Sequence, residues 1–172
     1  MFHIIIGQSG AGKTTFAKTR FLDDLQPPEK DIVWITRSGI YVGLGKYGVG
    51  IRTEGTDTLP YNAKEKIFQQ LLKMQRQHIV MEGDRITNDP TFQFLARIGV
   101  QVKLYLLTCS VDTSLSRLRE SGSAIARKFV LASKTKSKHF IWNMLEGLMV
   151  KSLVRNSERT IYERFDCCSA SR

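Results

Sequence analysis

Acidic side chains are scarce in this 172-residue sequence: sixteen aspartates and glutamates stand against twenty-six lysines and arginines, for a formal net charge of +10. Cysteine is scarcer still. The three present, Cys109, Cys167 and Cys168, form neither a disulfide framework nor a metal-spaced set, because adjacent cysteines in a polar tail suit neither bond. Only four prolines occur, and two of them are adjacent at Pro27-Pro28, where they end a helical pattern. No apolar run approaches the roughly 18 residues that a membrane span needs. Phe2 to Ile6 is too short for a signal-peptide core and leads into a glycine loop, so no membrane association and a cytoplasmic location are expected. The 42% hydrophobic and 24% charged content is ordinary for a globular chain, which excludes disorder and fibrous architectures, and the length fits a single domain spanning 1–172.

The charge is unevenly placed. Between Arg117 and Lys138 seven basic residues (Arg117, Arg119, Arg127, Lys128, Lys134, Lys136 and Lys138) meet one acidic residue, Glu120, so this segment supplies +6 of the total. A cluster of this kind is either a solvated helical face or a surface that meets phosphates.

Strands and helices alternate along the chain. Phe2 to Ile6 is a continuous apolar run rich in β-branched residues, as expected of a central parallel strand. Lys13 to Leu25 reads as a helix and Asp31 to Thr36 as a second strand. The six glycines between Arg37 and Asp57 fit short strands or an ordered loop. Ala63 to Gln77 is an amphipathic helix, with Ile67, Leu71, Leu72 and Met74 on one face. His78 to Glu82 is a strand, Pro90 to Ile98 a short helix and Val100 to Thr108 a fourth strand. From Val111 onward the pattern is mostly helical, including Asp112 to Glu120 and Phe140 to Val154. The expected architecture is α/β: a mostly parallel central sheet covered on both sides, with a helical, basic C-terminal third.

The strongest motif is Gly7-Gln8-Ser9-Gly10-Ala11-Gly12-Lys13-Thr14, which matches G-x-x-x-x-G-K-[ST] at every fixed position, between a strand and a helix. Glycines let successive backbone N–H groups face one anion while the helix directs its positive end at the same point. Lys13 is expected to bridge the outer phosphates of ATP, and the Thr14 hydroxyl to ligate magnesium (Mg2+), with Thr15 completing the site. The chain is short for a motor and shows no Asn-Lys-x-Asp or Asp-x-x-Gly motif of a GTPase, which leaves a small kinase.

A kinase needs an acidic group near Mg2+, a group orienting the acceptor hydroxyl, and cations facing the transferred phosphoryl. The strand from His78 ends in Glu82-Gly83-Asp84-Arg85, at the sheet edge where open α/β folds bind ligands. Glu82 is the candidate second metal ligand. Asp57 is either a turn aspartate or an acceptor-binding base, and the choice of base among Asp57, Glu82 and Asp84 is open. Arg117 and Arg119 are lid candidates, within a lid and basic segment at about 117–138. We expect the phosphate-loop strand to be central, with the strand of Glu82 close beside it.

Taken together, the loop, Val80 to Arg85 and Val111 to Arg119 resemble the small P-loop kinases that include nucleotide and nucleoside kinases. That resemblance, over roughly residues 1–130, implies a three-layer, nucleotide-kinase-like P-loop NTPase fold. Within the group, Gly55-Thr56-Asp57-Thr58-Leu59, Glu82 to Arg85 and the basic Lys128 to Lys138 stretch resemble bacteriophage 5-hydroxymethyluracil DNA kinases. The implied activity is phosphorylation of the hydroxymethyl group of that base in DNA, a DNA modification in which Arg127, Lys128, Lys134, Lys136 and Lys138 meet the backbone. Such a base must leave the stack, and Tyr41, Tyr47 and Trp142 are candidate stacking partners, though aromatics are more often core. A deoxynucleoside monophosphate or nucleoside kinase would use the same loop with fewer cations. A non-catalytic ATP-dependent DNA-binding module would explain the charge but not the acidic strand end.

Overall fold

The computed structural model describes residues 1–48, 54–83, 85–86, 88–120, 122, 127–132 and 134–135, and the backbone of 160–166. Within them, seven strands form one sheet in which β1 (Phe2–Gly7) is flanked by β5 (His78–Glu82) and β6 (Val102–Thr108). The full order is β2-β3-β4-β5-β1-β6-β7, where β2 is Glu29–Lys30, β3 Trp34–Ser38, β4 Tyr41–Leu44 and β7 Thr160–Asp166. Strands β4, β5, β1, β6 and β7 run parallel, and β2 and β3 add antiparallel pairs at one edge. The expected central position of β1, with Glu82's strand beside it, is therefore found.

Alternation along β1 explains the layers. Phe2, Ile4 and Ile6 point to a core shared with Ala63, Ile67 and Leu71 of the α2 region (α2, Lys64–Lys73) and with Phe94 and Leu95 of α3 (Asp89–Ile98). Ile5 points the other way, into a core with Ala17, Phe21 and Leu22 at helix α1 (Lys13–Phe21). A strand apolar on both faces has to be covered by helices on both, which is the three-layer α/β arrangement of a P-loop NTPase fold.

Where elements differ from expectation, hydrogen bonds account for it. Helix α1 stops at Phe21, not Leu25, because the chain turns to run against β3: Asp24 N donates to Ser38 Oγ (3.0 Å) and Gln26 N to the Arg37 carbonyl (2.8 Å). Strand β3 starts at Trp34, not Asp31, because Oε1 of the buried Gln70 accepts from Ile32 N (2.9 Å) and Val33 N (3.3 Å). Asp31 itself pairs with Lys73 at 2.6 Å. Helix α3 has a strong start, since the Asn88 side chain accepts from Thr91 N with a proline in the first turn.

The C-terminal third is not wholly helical. Helix α4 (Val111–Glu120) and helical residues 127–132 and 134–135 agree with expectation, but β7 pairs with β6 along all seven of its residues. Thr160, Ile161, Tyr162 and Phe165 are residue types that favour strands, whereas Glu163 and Arg164 interrupt the apolar pattern that would have marked one. The expected Phe140 to Val154 helix lies outside the described residues.

Candidate active site

The loop between β1 and α1 is closed by Ala11 N donating to the Gln8 carbonyl (3.1 Å). Gly10 has φ +76, and a Cβ there would lie 2.6 Å from the Ser114 carbonyl oxygen, so a bare glycine is what lets α4 pack onto the loop. Helix α1 opens with no side-chain cap and no acidic residue in its first turn, which leaves its first N–H groups and positive dipole end directed at the loop. Ser9 and Gly12 are half-buried, Thr15 is exposed, and Gly7 and Ala11 are buried.

Lys13 and Thr14, the first two residues of α1, point in different directions. Lys13 Nζ donates to the Gly7 (3.0 Å) and Gln8 (3.3 Å) carbonyls along the loop. Thr14 Oγ1 instead donates across the sheet edge to Glu82 Oε1 at 2.9 Å. The two sequence-predicted metal ligands are thus in contact. Glu82 is 3% exposed, and its carboxyl is pushed up to about 7 from an ordinary 4.5. Burial is the main cause; the Lys13 charge and the Thr14 hydrogen bond pull it down, and Asp57 and Glu54 push it up.

The acidic side of the site is built by the turn from Glu54 to Thr58. The Thr56 hydroxyl donates to the Glu82 carbonyl, and Thr58 Oγ1 donates to Gly55 O at 2.7 Å. Glu54 pairs with Lys18 of α1 at 3.0 Å and accepts from Gly48 N at 2.8 Å. This lacing brings Asp57 to Arg85, with Oδ1 3.8 Å from Nε. Asp57 is the most open of the three described carboxylates here, with a half-exposed side chain. Asp84 lies outside the described residues.

The cationic side comes from α4. Arg117 Nη1 stands 3.9 Å from the place a Gly12 Cβ would occupy, so this guanidinium is beside the loop. Arg119, two residues on, is exposed and on another face of the helix. Gln8, expected to contact nucleotide, turns its side chain away: Nε2 donates to Ser114 Oγ (2.7 Å) and the Cys109 carbonyl (3.0 Å), fastening the loop to the β6–α4 junction.

The basic stretch is partly engaged with the protein itself. Arg127 pairs with Asp112 at 2.8 Å, Lys134 Nζ donates to the Cys109 carbonyl at 3.4 Å, and Lys128 is exposed beside Phe129. Lys136, Lys138 and Trp142 lie outside the described residues.

Two of the three candidate stacking aromatics belong to the core, the more common place for such residues. Tyr47 is fully buried, so it has no face to offer a base, and its hydroxyl has no hydrogen-bond partner. Burial, then the charges of Glu82, Glu54 and Asp57, holds that phenol well above its ordinary range. Tyr41 packs among His3, Phe21 and His78 at the amino end of the parallel strands, away from the loop. Tyr61, which no hydrophobic pattern marks, reaches Asp57 through Arg85. It lies in the turn Pro60-Tyr61-Asn62 next to the Gly55 to Leu59 segment, and Arg85 lies over its ring at 4.0 Å.

No known protein-family model matches the chain, and no curated protein sequence does either. Among solved structures, it is similar to deoxyadenosine kinase from M. mycoides in three ligand states. With bound dATP the TM-score is 0.42 at 13% identity, covering 96% of this chain and 91% of that one. With products dCMP and dCDP the TM-score is 0.41 at 13% identity, covering 96% and 90%. With bound dCTP it is 0.40 at 14% identity, covering 96% and 90%. Similarity at this level carries no argument about activity, and the α/β P-loop fold rests on the strand, loop and sheet described above.

Proposed function

We propose that this protein is an ATP-dependent phosphotransferase that moves the terminal phosphoryl group of ATP to a hydroxyl on a nucleoside-bearing acceptor. The observation that carries the reading is the 2.9 Å bond between Thr14 and Glu82, which joins the end of a phosphate loop to a buried strand-end carboxylate. A glycine loop alone would serve any triphosphate-binding protein. A carboxylate on the threonine hydroxyl, a cation on the loop side and a solvent-open aspartate nearby meet the requirements of transfer.

In this reading the loop N–H groups and Lys13 hold the phosphates, Lys13 exchanging its two carbonyl partners for phosphate oxygens. Thr14 and Glu82 are the residues that would hold Mg2+, which when bound supplies charge neutralisation between the outer phosphates. Arg117 faces the charge that gathers on the transferred group. Asp57 accepts the proton of the acceptor hydroxyl as its oxygen bonds to phosphorus, ADP leaves with the electrons of the broken bond, and the proton passes to solvent. Arg85 holds Asp57 in place.

Two acceptor classes are supported by different observations. A free nucleoside or nucleotide is supported by the pairing of Arg127 with Asp112, which engages one cation of the basic stretch within the protein itself. The hydroxymethyl group of 5-hydroxymethyluracil in DNA is supported by the seven basic residues of 117–138. Radiolabelled ATP offered with nucleosides, nucleotides, ordinary DNA and hydroxymethyluracil-containing DNA separates them. Label confined to small acceptors sinks the DNA reading, label confined to the modified DNA sinks the small-acceptor reading, and no label anywhere sinks the kinase reading in favour of an ATP-dependent DNA-binding module. A Lys13→Ala control is expected to abolish transfer.

A further inference from the structure

Tyr61 is 92% exposed, the most exposed large hydrophobic side chain among the described residues. An exposed aromatic on a loose loop would mean little. Tyr61, however, sits at the apex of a turn closed by Ala63 N donating to the Pro60 carbonyl (3.2 Å) and anchored on both sides by buried Leu59 and Ala63. Pro60 further restricts the backbone before it. The ring itself is held, because the Arg85 guanidinium lies 4.0 Å from its centroid and Arg85 is in turn paired with Asp57. The arginine side chain is only 20% exposed, so one face of the tyrosine is covered by a fixed cation while the residue as a whole stays open. The segment leading into this turn is fastened at Thr56 to the Glu82 carbonyl, and Arg85 links the ring to Asp57.

We propose that the open face of Tyr61 is the platform on which the nucleobase of the acceptor stacks, with Arg85 as the positioning residue that orients the ring. The inference rests on the phosphotransferase reading and specifies its acceptor as one carrying a flat aromatic base. A planar base is the ligand such a face suits, since stacking on an aromatic side chain is tolerant of base identity and needs no hydrogen-bond pattern. The cation behind the ring draws its π-density away from the open face, which favours an electron-rich planar partner.

The test compares wild type, Tyr61→Ala and Tyr61→Phe in the full chain, with thymidine, thymidine monophosphate and a hydroxymethyluracil-containing oligonucleotide as acceptors. Stacking predicts a rise of roughly ten-fold or more in acceptor KM for Tyr61→Ala, with the KM for ATP unmoved and the loss restored by the ring-keeping Tyr61→Phe. Equilibrium binding of the same three probes, measured without turnover, separates this proposal from the reading it rests on. Probe binding that Tyr61→Ala weakens and Tyr61→Phe preserves, with no transfer by wild type, keeps the platform and sinks the kinase. Transfer by wild type with an unchanged acceptor KM in Tyr61→Ala keeps the kinase and overturns the platform. A Tyr61→Ala variant that loses only melting temperature also overturns it, since the ring would then merely shield Arg85.

Discussion

Gly55 lies so close to Glu82 that a Cβ on the glycine would overlap Oε1 of the carboxylate and come within 3.1 Å of the Tyr47 hydroxyl. Its backbone (φ 69, ψ −150) also falls in a region that only glycine occupies without strain. Gly55→Ala is therefore expected to displace Glu82 from Thr14, lowering kcat about ten-fold or more and costing about 1–3 kcal/mol of stability. Gly39, with φ 53 and nothing within 4 Å of its would-be Cβ, supplies the control. Gly39→Ala is expected to cost about 1 kcal/mol and leave turnover intact. Wild-type kcat in Gly55→Ala would show that this packing does not position the carboxylate.

Glu82 predicts a stability that falls as pH rises. Its carboxyl titrates at about 7 in the folded protein against an ordinary 4.5, so the folded state holds the proton more tightly than the unfolded chain. Ionisation consequently destabilises the fold progressively between those values, and fully above them. Glu82→Gln keeps an acceptor for Thr14 Oγ1 but does not ionise. It should match wild type near pH 4 and exceed it by roughly 1–3 kcal/mol at pH 8, while losing phosphoryl transfer at both. Urea unfolding at the two pH values measures this; an equal difference at both would remove the ionisation account.

The phosphate loop and Glu82 were legible in the sequence because each is local: a fixed spacing between strand and helix, and an apolar run that ends in an acid. The meeting of Asp57 with Arg85 was not, because it depends on long-range pairing of a glycine-rich segment. Tyr41–Leu44 pairs with β5, and Lys46 bridges to Gly55, contacts that leave no periodic mark. Tyr47 illustrates the same limit from the other side. Its residue type is compatible with a stacking platform, and only the packing around Gly43 and Gly55 makes it core. Strand β7 was hidden by Glu163 and Arg164, and Tyr61 by exposure, since a solvent-facing aromatic in a turn belongs to no hydrophobic pattern.

Gln8 predicts a mechanical link between the loop and α4. Its side chain is 1% exposed and joins β6's end to α4's start through the Cys109 carbonyl and Ser114 Oγ. Gln8→Ala removes a donor from that carbonyl and that hydroxyl, which keep Lys134 Nζ at 3.4 Å and Cys109 Sγ at 2.9 Å, for an expected loss of about 1 kcal/mol. Because Arg117, which faces the charge gathering on the transferred group, rides on α4, the same substitution should lower kcat more than it raises the KM for ATP. Thermal denaturation and steady-state kinetics check the two parts, and unchanged kcat with reduced stability would confine Gln8 to a structural role.

His3 predicts a pH dependence of the opposite sign, at the far end of the sheet. The ring is buried, with Nδ1 3.1 Å from the Tyr105 hydroxyl, Nε2 without a partner, and His78 stacked at 5.9 Å. Burial first, then the charges of His78, the N-terminus and Lys103, lowers its pKa from 6.5 to about 4. A base whose folded value is depressed contributes stability above the unfolded value, and that contribution is lost as pH falls from about 6.5 through about 4. His3→Phe fills the same volume against Phe21, 4.7 Å away, and has no proton to take up. At pH 8 it should be less stable by about 1 kcal/mol, for the hydrogen bond to Tyr105. Near pH 4 the order should reverse, so the stability curves of wild type and His3→Phe are expected to cross between those limits. Parallel curves would place the acid sensitivity on another group.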